Sequence, residues 1–188
     1  VLLFVGRIQP LKGVDVAVQT LAELSDPRAI LLVVGGASGS DGDTEMGRVL
    51  ALVESLGLGN RVRFVDPQPH HILSTYYRAA DVVLVPSRSE SFGLVALEAA
   101  ACGTPVVASA VGGLLTIVEH GRTGFLVPDR DPSVFAAHTS RILADATVAD
   151  AMSRAAAAKA RGYTWAFAAA RLRRVYADLA ARDRVVCR

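Results

Sequence analysis

The sequence predicts an α/β protein built on a doubly wound parallel sheet. Three observations point there. Short, uninterrupted apolar runs alternate with segments whose apolar residues recur at helical spacing. Glycine-rich or polar turns follow several of these runs. Aromatics make up only 6% of a chain that is 52% hydrophobic, so Val, Leu, Ile and Ala must fill the core. That composition suits strands buried on both faces beneath helices.

The elements can be justified in order. Val1–Val5 reads as a buried strand closed by Gly6. Val14, Ala17, Val18, Leu21 and Leu24 repeat at the spacing of a helix. Ile30–Val34 is a second strand, ending in Gly35-Gly36, and a loop of small residues runs on through Gly42. A helix is expected over Glu45–Leu56, with Met46, Val49, Leu50, Val53 and Leu56 on one face. Val62–Val65 is a third strand, and a helix near Ile72–Ala79 leads to a fourth, Val82–Val85. Pro86 to Ser91 is a turn, Phe92–Ala101 a helix, Pro105–Ala108 a fifth strand, and Gly112-Gly113 another turn. A short helix near Leu115–Glu119 precedes a sixth strand, Gly124–Val127. The rest reads as helices over Pro132–Leu143, Val148–Ala160 and Trp165–Ala181.

Crossovers between such strands are right-handed, and ligands bind beyond the carboxyl ends of the strands. Residues 1–188 form one domain without repeat or linker, and the final helices, about 147–181, are expected to pack on it. Val1 lies inside an apolar strand and is not an initiator methionine. The chain is therefore expected to be an excised domain whose N-terminal partner is absent.

Charge narrows the function classes. Twenty Lys and Arg stand against eighteen Asp and Glu, for a net charge of +2. A nucleic-acid binder carries a stronger, patterned basic excess, so no nucleic-acid partner is expected. The basic residues Arg171, Arg173, Arg174, Arg182, Arg184 and Arg188 read as a solvated helix face. Cys102 and Cys187 lie far apart and in no metal or redox spacing. Free thiols and the lack of an apolar span or leader argue for a cytoplasmic protein without membrane contact.

Two segments could carry chemistry. The first, Gly6-Arg7-Ile8-Gln9-Pro10-Leu11-Lys12-Gly13, leaves the first strand and enters the first helix. Its two cations can be aimed at one diphosphate, Arg7 as a planar fork and Lys12 as a point charge. Spacing alone leaves open whether they are ordinary surface cations. The second segment, Ser89-Glu90-Ser91-Phe92-Gly93-Leu94-Val95-Ala96-Leu97-Glu98, follows the fourth strand. Its helix is expected to begin near Phe92–Gly93, so free N–H groups and the positive dipole end would face the crevice as an anion site. Glu90 precedes the helix and Glu98 lies about one and a half turns inside it, so the two are not a close acid/base pair. Carboxylates accept from adjacent hydroxyls, which suits sugars. The alternative is a helix-start Glu and a surface Glu, but an acid on so apolar a helix needs a partner or a ligand.

Other patterns carry less. Cys102-Gly103-Thr104-Pro105 is a structural entry to the fifth strand. Asp41-Gly42-Asp43 lies in the small-residue loop and is not expected to hold a metal. His70 and His71 precede a helix, His120 and His138 lie on helix faces, and none has ligand spacing. No G-x-G-x-x-G or Walker loop is present.

On these residues the chain resembles the C-terminal domain of retaining GT-B glycosyltransferases of family 4. Glu90 and Glu98 match that family's E-x7-E motif, and Gly6-Arg7…Lys12-Gly13 its phosphate loop. Ala101–Ala108 and Gly121-Arg122-Thr123-Gly124 match as well. The resemblance covers nearly the whole chain and implies a Rossmann-like fold. Gly6–Lys12 and Val111-Gly112-Gly113-Leu114 most resemble the members that transfer N-acetylglucosamine from UDP to 1D-myo-inositol 3-phosphate, the first step of mycothiol synthesis.

The resemblance assigns roles. Arg7 and Lys12 would hold the diphosphate, with Gly6 beside them. Glu98 would bind the ribose, and Glu90 with the Ser91, Phe92, Gly93 and Leu94 segment would hold the sugar and β-phosphate. Arg7, Lys12 and Glu90 would be the catalytic set. Gln68, where relatives usually have Arg, would approach the uracil through its main chain. Relatives also carry a structural magnesium at the positions of Tyr77, Arg78, Ala80 and Thr104, with no cofactor needed for catalysis. The implied partners are the nucleotide-sugar donor and the missing acceptor domain, with a homodimer left open. The implied reaction retains configuration by front-face attack, and the isolated domain would turn nothing over. Related transferases using GDP-mannose, UDP-glucose or ADP-glucose share both motifs. A non-catalytic nucleotide-binding module and a nucleotide-sugar epimerase are the remaining alternatives.

Overall fold

The computed structural model describes residues 1–39 and 41–181. Arg182, Arg184, Cys187 and Arg188, singled out above, lie outside them. Six parallel strands form one sheet: β1 (Leu2–Val5), β2 (Leu31–Val34), β3 (Val62–Val65), β4 (Val82–Val85), β5 (Val106–Ser109) and β6 (Gly124–Val127). Their order is β3-β2-β1-β4-β5-β6. Helices connect them: α1 (Val14–Glu23), α2 (Gly42–Ser55), α3 (His70–Ala79), α4 (Leu94–Ala101) and α5 (Leu114–Ile117). Then α6 (Pro132–Ala144), α7 (Ala146–Ala160) and α8 (Trp165–Ala180) close the chain.

Strand periodicity sorts the core into two layers. Leu2, Phe4, Val82 and Leu84 face one cluster, completed by Val14, Val18 and Leu21 of α1, Val49 of α2 and Phe135 of α6. Leu3, Val83 and Val85 face the other, with Leu73 and Tyr77 of α3, Ala96 and Ala99 of α4, and Leu114 and Ile117 of α5. All four residues of β4 are buried, as its unbroken apolar run requires. The order in which strands are added reverses between β1 and β4, which pair in parallel from Leu2 with Val82. Such a switch point opens a crevice at the carboxyl ends of the two strands.

Four expectations need correction. Helix α2 starts at Gly42 and not at Glu45. Gly42 is buried against Ala37, and Asp43 and Glu45 sit where a first turn favours acids, so the Asp41-Gly42-Asp43 segment opens a helix. His70 and His71 begin α3 instead of preceding it. His120 stands in the turn after α5, where its Nδ1 accepts from the Leu126 N–H at 3.1 Å, and not on a helix face. Of the final helices, α7 packs through Met152, Ala156 and Ala160, the last two against Ala100 of α4. In α8 no residue is buried; Trp165 is 91% exposed, and Phe167, Val175, Tyr176 and Leu179 are exposed too. Its apolar residues follow helical spacing, but that spacing says only that a face exists and not what covers it.

Candidate functional site

The loops after β1 and β4 meet over the switch point. Lys12 Nζ donates to Glu90 Oε2 at 2.7 Å, joining positions 78 residues apart. Both side chains are mostly buried, 22% and 15% exposed, so each charge relies on the other. The backbone braces the same junction. Arg88 N donates to the Leu11 carbonyl at 2.9 Å, and Arg88 Nε to the Pro10 carbonyl at 3.3 Å. Arg7 is exposed, with no ion-pair partner among the described residues.

Helices α1 and α4 both begin at this junction, and both begin in the same way. Their N-cap residues are Gly13 and Gly93, each left-handed (φ 75° and 95°), and no side chain caps either helix. A residue with a Cβ pays heavily in that conformation. The first-turn N–H groups of α4 therefore face the crevice bare, together with the positive end of its dipole. Helix α4 begins at Leu94, one or two residues later than the pattern suggested, because Gly93 is the cap and not the first turn. Leu94 is 61% and Phe92 44% exposed. Phe92 is backed edge-on by Tyr163, at 6.3 Å between ring centroids.

Glu98 has found its partner within the fold. The hydroxyl of buried Tyr77 donates to Oε2 at 2.7 Å. His70 Nδ1 stands 3.7 Å from Oε1. Burial, with the Glu98 carboxylate beside it, keeps the Tyr77 phenol protonated far above its usual range. The carboxylate is thus oriented by Tyr77 while remaining a third exposed to solvent. Gln68 lies in the loop after β3, at the same edge of the sheet, and its side chain folds back onto the Asp66 carbonyl at 2.9 Å. Gly6, Arg7, Lys12, Gln68, Glu90, Ser91, Phe92, Gly93, Leu94 and Glu98 thus all belong to loops or a helix start beyond the strand ends, or to the first turns of α4.

The residues matched to a cation site fit one poorly. The Tyr77 carbonyl already accepts from Thr104 Oγ1 at 2.6 Å and from Ala80 N at 3.3 Å, so its lone pairs have protein donors. Arg78 is exposed, and no carboxylate belongs to the set.

The sequence offers Gly112-Gly113 as a turn that could bring backbone close to a ligand, and it leaves Arg130 without a role. Gly112 and Gly113 are not merely a turn. Gly113 N donates to the Glu90 carbonyl at 2.8 Å, and a Cβ on either glycine would collide with the backbone of Glu90 or Phe92. They seat the acidic loop. Arg130, after β6, donates through Nε to the Pro86 carbonyl at 2.8 Å. The only signals in the sequence were a doubled glycine and a single cation, and neither names its contact.

Comparison with known proteins identifies the family and the fold. The sequence pattern of the family Glycosyl transferases group 1 matches residues 1–159. D-inositol 3-phosphate glycosyltransferase of Streptosporangium roseum is 47% identical over 183 residues, covering 94% of this chain and 42% of that protein. The protein of the same name from Frankia alni is 48% identical, covering 93% and 44%. The chain thus spans less than half the length of these relatives. Among solved structures, sucrose-phosphate synthase from Thermosynechococcus elongatus superposes with a TM-score of 0.88 at 42% identity, over 96% of this chain and 45% of that one. Anabaena HepE in complex with UDP and glucose superposes at 0.85 and 26% identity, over 96% and 48%. With its parallel sheet, its two glycine-capped helices and this match over most of its length, the chain belongs to the group 1 glycosyl transferases.

Proposed function

We propose that the chain is the donor-binding half of a retaining hexosyltransferase, taking UDP-N-acetylglucosamine for transfer to 1D-myo-inositol 3-phosphate. The observation that carries this reading is the Lys12–Glu90 pair, which sets a cation and an acceptor of sugar hydroxyls side by side between two bare helix starts. The shared name of the curated relatives supports the acceptor, and the UDP and glucose in the HepE structure support the donor class.

In this reading the diphosphate lies between the starts of α1 and α4, near Gly6, Arg7 and Lys12. Glu98, oriented by Tyr77, takes the ribose hydroxyls, and the Gln68 main chain approaches the base. Glu90 and the Phe92–Leu94 backbone hold the transferred sugar. Breaking the sugar–phosphate bond leaves negative charge on UDP. Arg7, the remaining N–H donors of Lys12 and the helix N-termini stabilise that charge as it develops. Glu90 is held by Lys12, so it serves as a hydroxyl acceptor and not as a nucleophile. The acceptor proton passes to the departing phosphate oxygen on the same face. Acceptor binding falls to the part of the protein that this chain does not span, and a site closed against water requires both parts.

The likeness to Anabaena HepE, solved with UDP and glucose and with UDP-glucose, favours a second reading, with UDP-glucose as donor. Calorimetric titration of the chain with UDP-N-acetylglucosamine, UDP-glucose, GDP-mannose and ADP-glucose separates them. A preference for UDP-N-acetylglucosamine is expected. A preference for UDP-glucose favours the second reading, and a preference for GDP-mannose overturns both.

A further inference from the structure

We propose that Arg130 is a positioning residue of the diphosphate site, acting from behind the start of α1; this rests on the reading of that site given above. Its side chain is only 18% exposed and reaches two segments at once. Nε donates to the Pro86 carbonyl, at the exit of β4. Nη2 stands 3.7 Å from Oδ1 of Asp15, in the first turn of α1. A Cβ placed on Gly13 would lie 2.5 Å from that same Nη2 and would collide with the Pro86 carbonyl. Arg130 therefore fills the space that the missing side chain of Gly13 leaves.

The polar accounting points to a clamp. Arg130 Nη2 and Asp15 Oδ1 are both buried, and neither makes a hydrogen bond. A buried charge without a partner is costly, so the loose pair holds two groups that stay in place only together. Burial, with Arg88 nearby, lowers the Arg130 pKa from its ordinary value. The segments it joins are the two whose tips carry Lys12 and Glu90. Lys12 precedes Gly13 directly, and Glu90 lies four residues after Pro86. Fixing Gly13 against Pro86 sets the distance between those tips. No atom of Arg130 needs to touch the donor for this.

The test compares Arg130→Met and Arg130→Lys with the unaltered chain by calorimetry, using UDP and uridine as separate probes. Arg130→Met is expected to weaken UDP about tenfold, the contribution of one hydrogen bond to a charged group. Uridine affinity and binding stoichiometry should not change, because only the diphosphate contacts are displaced. Arg130→Lys, which keeps the charge, should recover part of the loss. Equal weakening of UDP and uridine, or no change in either, overturns the proposal. If Arg130→Met does not fold, the same comparison is made with Arg130→Lys. A crystal structure of the variant provides a reading that needs no nucleotide. Lys12 Nζ and Glu90 Oε2 are expected beyond 4 Å, and a preserved 2.7 Å contact overturns the clamp. Failure of the unaltered chain to bind UDP would instead count against the donor reading alone.

Discussion

Helices α1 and α4 start on left-handed glycines with no side chain over their N–H groups, whereas α6, α7 and α8 start on Asp131, Asp145 and Thr164. The second set satisfies itself. Asp131 accepts from Ser133 N at 2.8 Å, Asp145 from Thr147 N at 2.8 Å, and Thr164 from Phe167 N at 3.3 Å. A side-chain cap contributes about 1 kcal/mol. The chain forgoes that at both helices beside the switch point, as it does at α2, α3 and α5, and takes it only at its last three helices. A side-chain cap and a ligand compete for the same N–H groups, and at α1 and α4 the left-handed glycines leave those groups without a side-chain cap.

The contrast can be broken from the site side first. In the full-length protein, Arg7→Ala or Lys12→Ala should lower turnover roughly a hundredfold, as for loss of an electrostatic stabiliser of the leaving group. Steady-state rates at saturating donor check this, and near-normal rates in both variants would place the diphosphate elsewhere. Next comes the glycine cap itself. Gly13→Ala must place a Cβ against the Pro86 carbonyl at a strained φ. A loss of about 3 kcal/mol or more is expected in denaturant unfolding. Gly93→Ala meets side chains alone, Leu114 Cδ2 at 3.0 Å and Ile117 Cγ1 at 3.7 Å, and should lose about 1–2 kcal/mol.

The side-chain caps should behave in the opposite sense. Asp145→Ala should lower unfolding free energy by about 1 kcal/mol and leave nucleotide affinity where it was. A change in UDP binding would mean that the two sets of helices are not independent. The smallest effect concerns pH. Hydrogen bonds from Ser133 hold the Asp131 carboxyl below the usual carboxylate range. Its cap is therefore fully present above that range and is lost as pH falls through the lowered pKa. Acid titration of Asp131→Ala should show a slightly flatter stability loss below about pH 4 than the unaltered chain.

Legibility in the sequence follows the same division. Strands β3, β4 and β6 were predicted to the residue, because each is a short apolar run bounded by turn residues. The end of the fifth strand was placed one residue early, since Ser109 is polar yet fully buried. The E-x7-E spacing and the Arg7…Lys12 loop were visible as motifs. That Glu90 bonds Lys12, and that Glu98 bonds Tyr77, was not visible, because those contacts span 78 and 21 residues. The packing of α8 was misjudged for a related reason: periodicity reveals an apolar face but not its cover.

The sequence by itself determined the alternation of strands and helices, the burial of the sheet, and the presence of one anion-compatible helix start and one loop with two cations. Those depend on local periodicity, on glycine's freedom at positive φ, and on where strands end. Only the tertiary structure decided which of those features meet. Placing β1 beside β4 brings Lys12 to Glu90, and the β4-β5-β6 order brings Gly112-Gly113 to the acidic loop and Arg130 to Pro86. The physical reason is that hydrogen bonds and ion pairs between distant residues form only after the core has fixed the strand order, and nothing in local spacing encodes their distances.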